Sequence, residues 1–276
     1  MKRLKTYIPF ATNSFQSELA YKGNTFMFFC GQGMLIAVTA FLWRAIYGSS
    51  EDAIIKGFDL NQMIIYMLIS FLTNLLISSD ITSMIYREVK DGSIAMTLIK
   101  PISYCKRLMF QCFGQIAFSF VLVFWWAFIA VTVYLCIAGG TFNILNILMY
   151  FVSTILSIFL MLFYRYCFGL LSFKITNMWG LTQIMNAIVR LLSGALIPLT
   201  FFPDIIAEIF KYLPFGSMIS TPTLIYLGKL NGMEMLQALL LQAVWILVFF
   251  GLSKWIWSKL IKHLTILGGW VYEKVF

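Results

Sequence analysis

The segment NQMIIYMLISFLTNLLISSDITSMIYREVKDGSIAMTLIKPISYCKRL (61–108) changes character at Asp80. Its first nineteen residues carry no Asp, Glu, Lys or Arg, whereas residues 87–108 carry seven. A helix needs about 20 mainly apolar residues to cross the hydrocarbon core of a bilayer, so the first part reads as a span. The second part, directly beyond it, is the most charged stretch of the chain.

Extended over all 276 residues, the same reading marks six apolar runs, at 25–47, 61–79, 109–138, 144–168, 181–200 and 235–252. The chain is 61% hydrophobic, with 27 Phe, 8 Trp, 20 Lys and Arg and 11 Asp and Glu, and its mean hydropathy is +0.88. That is too apolar for a soluble domain of this length. The expected architecture is therefore an all-α integral membrane protein with six transmembrane helices. Residues 1–24 form an N-terminal interfacial helix and 25–276 the membrane domain. A β-barrel would show alternating segments instead of continuous apolar runs. The third run is long enough to tilt or to project beyond the bilayer.

Orientation follows from the basic residues, which are in excess on the cytoplasmic side. With the N-terminus inside, fourteen of the 20 Lys and Arg fall in the cytoplasm and four (Arg44, Lys56, Lys211, Lys229) outside, while Arg165 and Arg190 fall within runs. Both termini are thus expected inside. Most of the +9 net charge flanks spans, which points to lipid head groups and not to nucleic acid. The five Cys contain no C-x-x-C and read as small apolar residues.

Phe10, Ala11, Phe15 and Leu19 recur at helical spacing opposite Asn13, Gln16, Ser17 and Glu18, which predicts an amphipathic helix in the cytoplasmic interface. Pro9 to Ser17 is too polar for a signal-peptide core, so this helix is expected to stay on the chain. The turn GGTFN (139–143) is expected outside, with Asn143 capping the next helix. In PDIIAEIFKYLP (203–214) an apolar face of Ile205, Ile206, Ile209, Phe210 and Leu213 lies opposite Asp204, Glu208 and Lys211. This fits a short helix dipping into the outer leaflet, started by Pro203 and ended before Pro214. Gly228 and Gly232 frame a turn into the last span.

No G-x-x-x-x-G-K-[ST] occurs, so no nucleotide-phosphate cradle is expected in this chain. His263 is the only histidine, which leaves no Cys/His cluster for a metal. No carboxylate falls centrally in a span, so an enzyme is not expected. Arg165 lies near the inner end of its run, within reach of cytoplasmic head groups by snorkelling. Arg190 falls near the midplane of the fifth run. Gln183, Asn186, Arg190 and Ser193 share one helical face there. Such a stripe faces other helices or a wet cavity, so Arg190 either lines a pathway or is tied to carbonyls or lipid phosphate.

In 87–108, Gly92 allows a stop, Ser93 can cap a short helix from Ile94, and Pro101 closes it. The element places Ile94, Met96, Leu98 and Ile99 beside Arg87, Glu88, Lys90 and Asp91, outside the membrane on the inner side. It is either a head-group-bound loop or a docking surface for a soluble partner.

Three stretches resemble the membrane subunit of a type-2 ATP-binding cassette transporter. REVKDGSIAMTLIKPIS (87–103) is similar to that family's R-E-[IV]-x-x-G-[ST]-[IL] segment with its following K/R-P-[IV]-S. SGALIPLTFFPDIIAEIFKYLPF (193–215) is similar to its Gly, Pro, Pro, Pro-Phe pattern, which implies short re-entrant external helices before the last span, and the N-terminal helix is similar to its connecting helix. The resemblance covers nearly all of the chain. It implies a permease of the exporter class in the bacterial cytoplasmic membrane, without a cofactor of its own, ATP and Mg being held on a partner ATPase. Two ATPase subunits would act on two permease chains, identical or sister subunits. It implies further that 87–103 contains a coupling helix, with Arg87, Glu88, Asp91, Ile94 and Leu98 docking the ATPase and Asn186, Arg190 and Ser193 on the cargo path. On this reading, reversing the charges of Glu88 and Asp91 uncouples assembly without unfolding the permease. The Phe- and Met-rich interior suits an amphipathic or lipophilic cargo such as a drug, peptide or lipid-like compound. The competing readings are a stand-alone channel or secondary transporter and a membrane assembly factor.

Overall fold

A computed structural model describes residues 5–20, 22–138, 143–175 and 177–260. His263 and most of the GGTFN turn lie outside the described residues. The described residues form helices and short turns without a strand, and five helices are long and apolar enough to cross a membrane: Phe29–Ser49, Leu60–Lys90, Tyr104–Ile137, Ile144–Phe173 and Gly232–Leu260.

Helix α1 (Ile8–Ala20) precedes α2 (Lys22–Ser49), the first long helix. The next, α3 (Leu60–Ile77), starts where Asp59 accepts a hydrogen bond from the Gln62 amide at 2.6 Å. The chain then breaks over 78–80 and resumes as the amphipathic α4 (Ile81–Lys90). Gly92, at φ 71°, turns it into the short α5 (Ile94–Leu98). Then come α6 (Tyr104–Ser119), a π turn at Phe120–Phe124 and α7 (Trp125–Ile137), one continuous helix of 34 residues. At about 1.5 Å per residue it is roughly 51 Å long against a hydrocarbon core of about 30 Å, so it projects beyond the bilayer or tilts strongly. Asn143 caps α8 (Ile144–Gly169) by accepting from the Leu145 amide at 2.9 Å, as its place in the sequence leads one to expect.

The run 181–200 behaves differently. It gives α9 (Trp179–Leu192), a helix of 14 residues that stops at Gly194, φ 75°. At about 21 Å it is too short to cross alone. The Tyr66 hydroxyl donates to the Gly194 carbonyl at 2.8 Å, and a side chain there would collide with that hydroxyl. Beyond the break the chain reaches Phe201, whose ring packs on Trp43 and Phe58.

The expected short helix forms as α10 (Asp204–Tyr212), with Ile205 and Ile209 exposed. It is followed by α11 (Pro214–Tyr226), which continues through Pro222. Its order of contacts defines its direction. Phe215 meets Tyr164 towards the C-terminal end of α8, and Tyr226 meets Tyr150 near its N-terminal end. The pair α10 and α11 is thus a hairpin whose second arm fills the space among α3, α8 and the final helix α12 (Gly232–Leu260). Small residues permit the approach. Gly216 sits under the Phe210 carbonyl, where a Cβ would be 2.7 Å away. Gln242 of α12 is fully buried; its amide donates to the Ser217 carbonyl at 2.7 Å and the Ser157 hydroxyl at 3.1 Å and accepts from Ser153 at 3.0 Å.

Helix α1 packs alongside α6 in parallel, since Tyr7 meets Phe110, Ala11 meets Gly114 and Phe15 meets Phe118. Gly114 is required: a Cβ there would run into the Ala11 carbonyl, which is backbone and cannot swing aside. A Gly114→Val protein is expected to lose about 2 kcal/mol of stability, the range for overpacking. It should also become cleavable within Ile8–Ala20 by limited proteolysis, whereas wild type resists.

Candidate functional site

The end of the molecule beyond the break at 78–80 is organised by α4. Ile81, Ile85 and Val89, spaced four apart, enter a core with Ile94, Tyr104, Leu108 and Leu162. On the same side Thr82 donates to the Arg165 carbonyl at 3.1 Å, and Gly169 allows Ile85 to lie directly on α8. Glu88 completes the attachment. One guanidinium nitrogen of Arg107, on α6, reaches both Glu88 oxygens at 2.6 and 2.7 Å. Arg107 is 7% exposed, bonds Gln111 at 3.3 Å and lies 5.2 Å over the Tyr104 ring, which stacks on Trp257 of α12.

Two of the residues expected on the docking surface are therefore turned inward. Glu88 is held by Arg107, and Ile94 is 1% exposed in the core. Leu98 is half-buried against the same core. Arg87 and Asp91 do face out, Arg87 also pairing with Asp80 at 3.2 Å. Between them and Lys100 stand Met96 at 68% and Ile99 at 79% exposure. Ser93 makes no cap for α5; its hydroxyl points back to the Glu88 carbonyl at 3.5 Å, because the backbone there is already helical.

The polar face of α9 is dispersed. Asn186 accepts from Arg165 at 3.4 Å, Gln183 and Arg190 are exposed, and Ser193 is buried with its carbonyl accepting from the Ser220 amide at 3.0 Å. Arg165, expected to snorkel to head groups, instead donates to the Ser79 carbonyl at 2.8 Å. That carbonyl lies in the break between α3 and α4, where no helical donor reaches it, so the guanidinium bridges the break to α9. Sequence reading placed Arg165 and Asn186 on separate runs and had no signal that they meet.

The outer end is closed by another cluster. Tyr47 donates to the Phe58 carbonyl at 2.7 Å, and Lys229 lies 4.9 Å over the Phe58 ring and bonds the Gly57 carbonyl at 2.7 Å. Lys56, at φ 47°, and Gly57 form the turn that presents this carbonyl. Among the described residues no three His, Cys, Asp or Glu side chains converge to hold a metal ion.

Comparison with protein families places these features. A family model described as ABC-2 family transporter protein matches residues 34–268, most of the chain. The chain belongs to the ABC-2 transporter family. Comparison with curated proteins finds no match. As an ABC-2 protein it is the multi-pass membrane subunit of an ATP-binding cassette system, in which an ATPase partner is implied. In this permease Glu88 fastens the α4–α5 element to α6. Removing one partner of a well-buried ion pair strands the other. Glu88→Ala is expected to destabilise the permease by about 3 kcal/mol, whereas Asp91→Ala stays within about 0.5 kcal/mol. Thermal unfolding in detergent measures both, and the double variant Glu88→Ala/Arg107→Ala should recover part of the loss.

Proposed function

We propose that the chain forms the transmembrane pathway for ATP-driven export of an amphipathic or lipophilic cargo, with α4–α5 as the element that an ATPase subunit grips. The observation that carries this reading is the combination at α5. Two large apolar side chains, Met96 and Ile99, stand exposed among Arg87, Lys90, Asp91 and Lys100, while the rest of the element is bolted to α6, α8 and α12. An exposed apolar centre with a charged rim is the composition of a protein interface. The firm inward attachment suits a lever: displacement of the tip is transmitted to the spans instead of being absorbed.

The proposed membrane path has six crossings in the bacterial cytoplasmic membrane, with both termini inside. The fifth consists of α9 and the segment after Gly194, since the chain passes from Lys174 at the inner side to Asp204, 3.9 Å from Lys56, at the outer side. Two permease chains, identical or sister subunits, would enclose the cargo path, and ATP and Mg would act on two ATPase subunits. Within that assembly the exposed Arg190 is proposed to face the path, with Asn186 and Ser193 fixing its helix to Arg165 and α11. ATP-driven closure of the ATPase pair would shift the permeases between inward-open and outward-open states by differential binding.

The test is co-purification with a candidate ATPase and measurement of vanadate-sensitive ATP hydrolysis. Met96→Asp combined with Ile99→Asp is expected to weaken assembly by roughly thirtyfold, the loss of an interface anchor, while the melting temperature of the permease alone stays unchanged. Unaltered assembly in that variant would refute α5 as the docking tip.

A further inference from the structure

A cavity of about 370 Å³ opens beside the break between α3 and α4, bordered also by α1, α2, α6 and α8. Its wall combines Glu18 and Arg165 with Phe29, Leu75 and Phe118. Both charged groups hydrogen-bond neutral partners. Glu18 is half-buried and accepts from the neutral amide of Gln115 at 3.2 Å. The guanidinium of Arg165 likewise bonds neutral partners, the Ser79 carbonyl and Asn186. Asp80, which also borders the cavity, is paired with Arg87 at 3.2 Å and is close enough to attract the Arg165 guanidinium as well. Ser79, at the cavity wall, is 6% exposed, and its hydroxyl has no nitrogen or oxygen partner, the Cys112 thiol being nearby.

A charge partly withdrawn from bulk water gains from a ligand group of opposite sign. Here an anion on α1 and a cation on α8 face one space with apolar side chains between them. A purely cationic molecule would satisfy Glu18 and be repelled by Arg165; a purely anionic one would do the reverse.

We propose that this cavity binds a zwitterionic head group, with an ammonium at Glu18 and an anionic oxygen group at Arg165, and its hydrocarbon portion along Phe29, Leu75 and Phe118. That chemistry is shared by phosphatidylethanolamine of the surrounding bilayer and by a free zwitterionic amphiphile in transit. The assignment deepens the export reading and rests on it only for the fate of the bound molecule. Ser78, Ser79 and Asp80 border the cavity and lead directly into α4, so a bound molecule lies against the root of the proposed lever.

Native mass spectrometry of the purified chain tests this with phosphatidylethanolamine, phosphatidylglycerol and N-dodecyl-β-alanine at equal concentration. Wild type is expected to retain at least one of the two zwitterions about tenfold over phosphatidylglycerol, the discrimination of a desolvated charge pair. Glu18→Gln, nearly isosteric and still able to bond Gln115, should bring that ratio close to one. Ser119→Leu, which projects a larger side chain into the same space, should lower retention of the zwitterions. If N-dodecyl-β-alanine displaces phosphatidylethanolamine, the source is a free amphiphile; if it does not, the source is the lipid head group. Equal retention of all three, a preference for phosphatidylglycerol, or an unchanged ratio in Glu18→Gln overturns the proposal. Because ATPase co-purification is read separately, loss of zwitterion binding with intact assembly rejects this site and leaves the export reading standing.

Discussion

The Glu88 carboxylate and the Arg107 guanidinium hold α4 to α6, and the inner half of the molecule depends on that pair. Gly92 turns the chain sharply between α4 and α5, and beside the pair these helices are attached chiefly by apolar contacts, with the Thr82 hydrogen bond to the Arg165 carbonyl. Apolar contacts are strong but non-directional. The ion pair adds direction, and Tyr104, lying between Arg107 and Trp257, extends the same connection to α12. These three helices and α5 are thereby one mechanical unit.

In the middle of the structure the organising element is α11, and its attachments are polar. Lipid competes with apolar contacts between helices, which therefore give little preference for one neighbour over another. Hydrogen bonds from Gln242 to the Ser217 carbonyl and the Ser157 hydroxyl, from Tyr66 to the Gly194 carbonyl and between Ser70 and Thr223 choose the neighbours. Each links segments far apart in the chain, and together they place a helix interrupted by Pro222 inside the membrane region.

These connections explain what could be read from the residues and what could not. Long spans were legible because twenty apolar residues in a row have few other solutions; so were the turn at Gly92, the Asn143 cap and the helix at Asp204, each carried by a local signal. The inward turn of Glu88 was not legible, since its partner lies nineteen positions away on another helix. Arg165 and Asn186 failed in the same way, twenty-one positions apart and joined only by folding. The extent of α11 was not legible from residues alone, since Pro222 punctuates its sequence, whereas burial among three helices overrides propensity. The fifth run was apolar enough to cross, but hydropathy does not register that Gly194 must take a positive φ.

The π turn at Phe120–Phe124 gives the long third helix two azimuths. A π turn accommodates one residue more than an α turn, and each residue of an α-helix advances the face by about 100°. The inner half can therefore present Gly114 and Phe118 to α1 while the outer half directs Phe124 and Phe128 at Phe151 and Tyr150 of α8. A single rod, offset in phase at its centre, thus serves α1 with one half and α8 with the other.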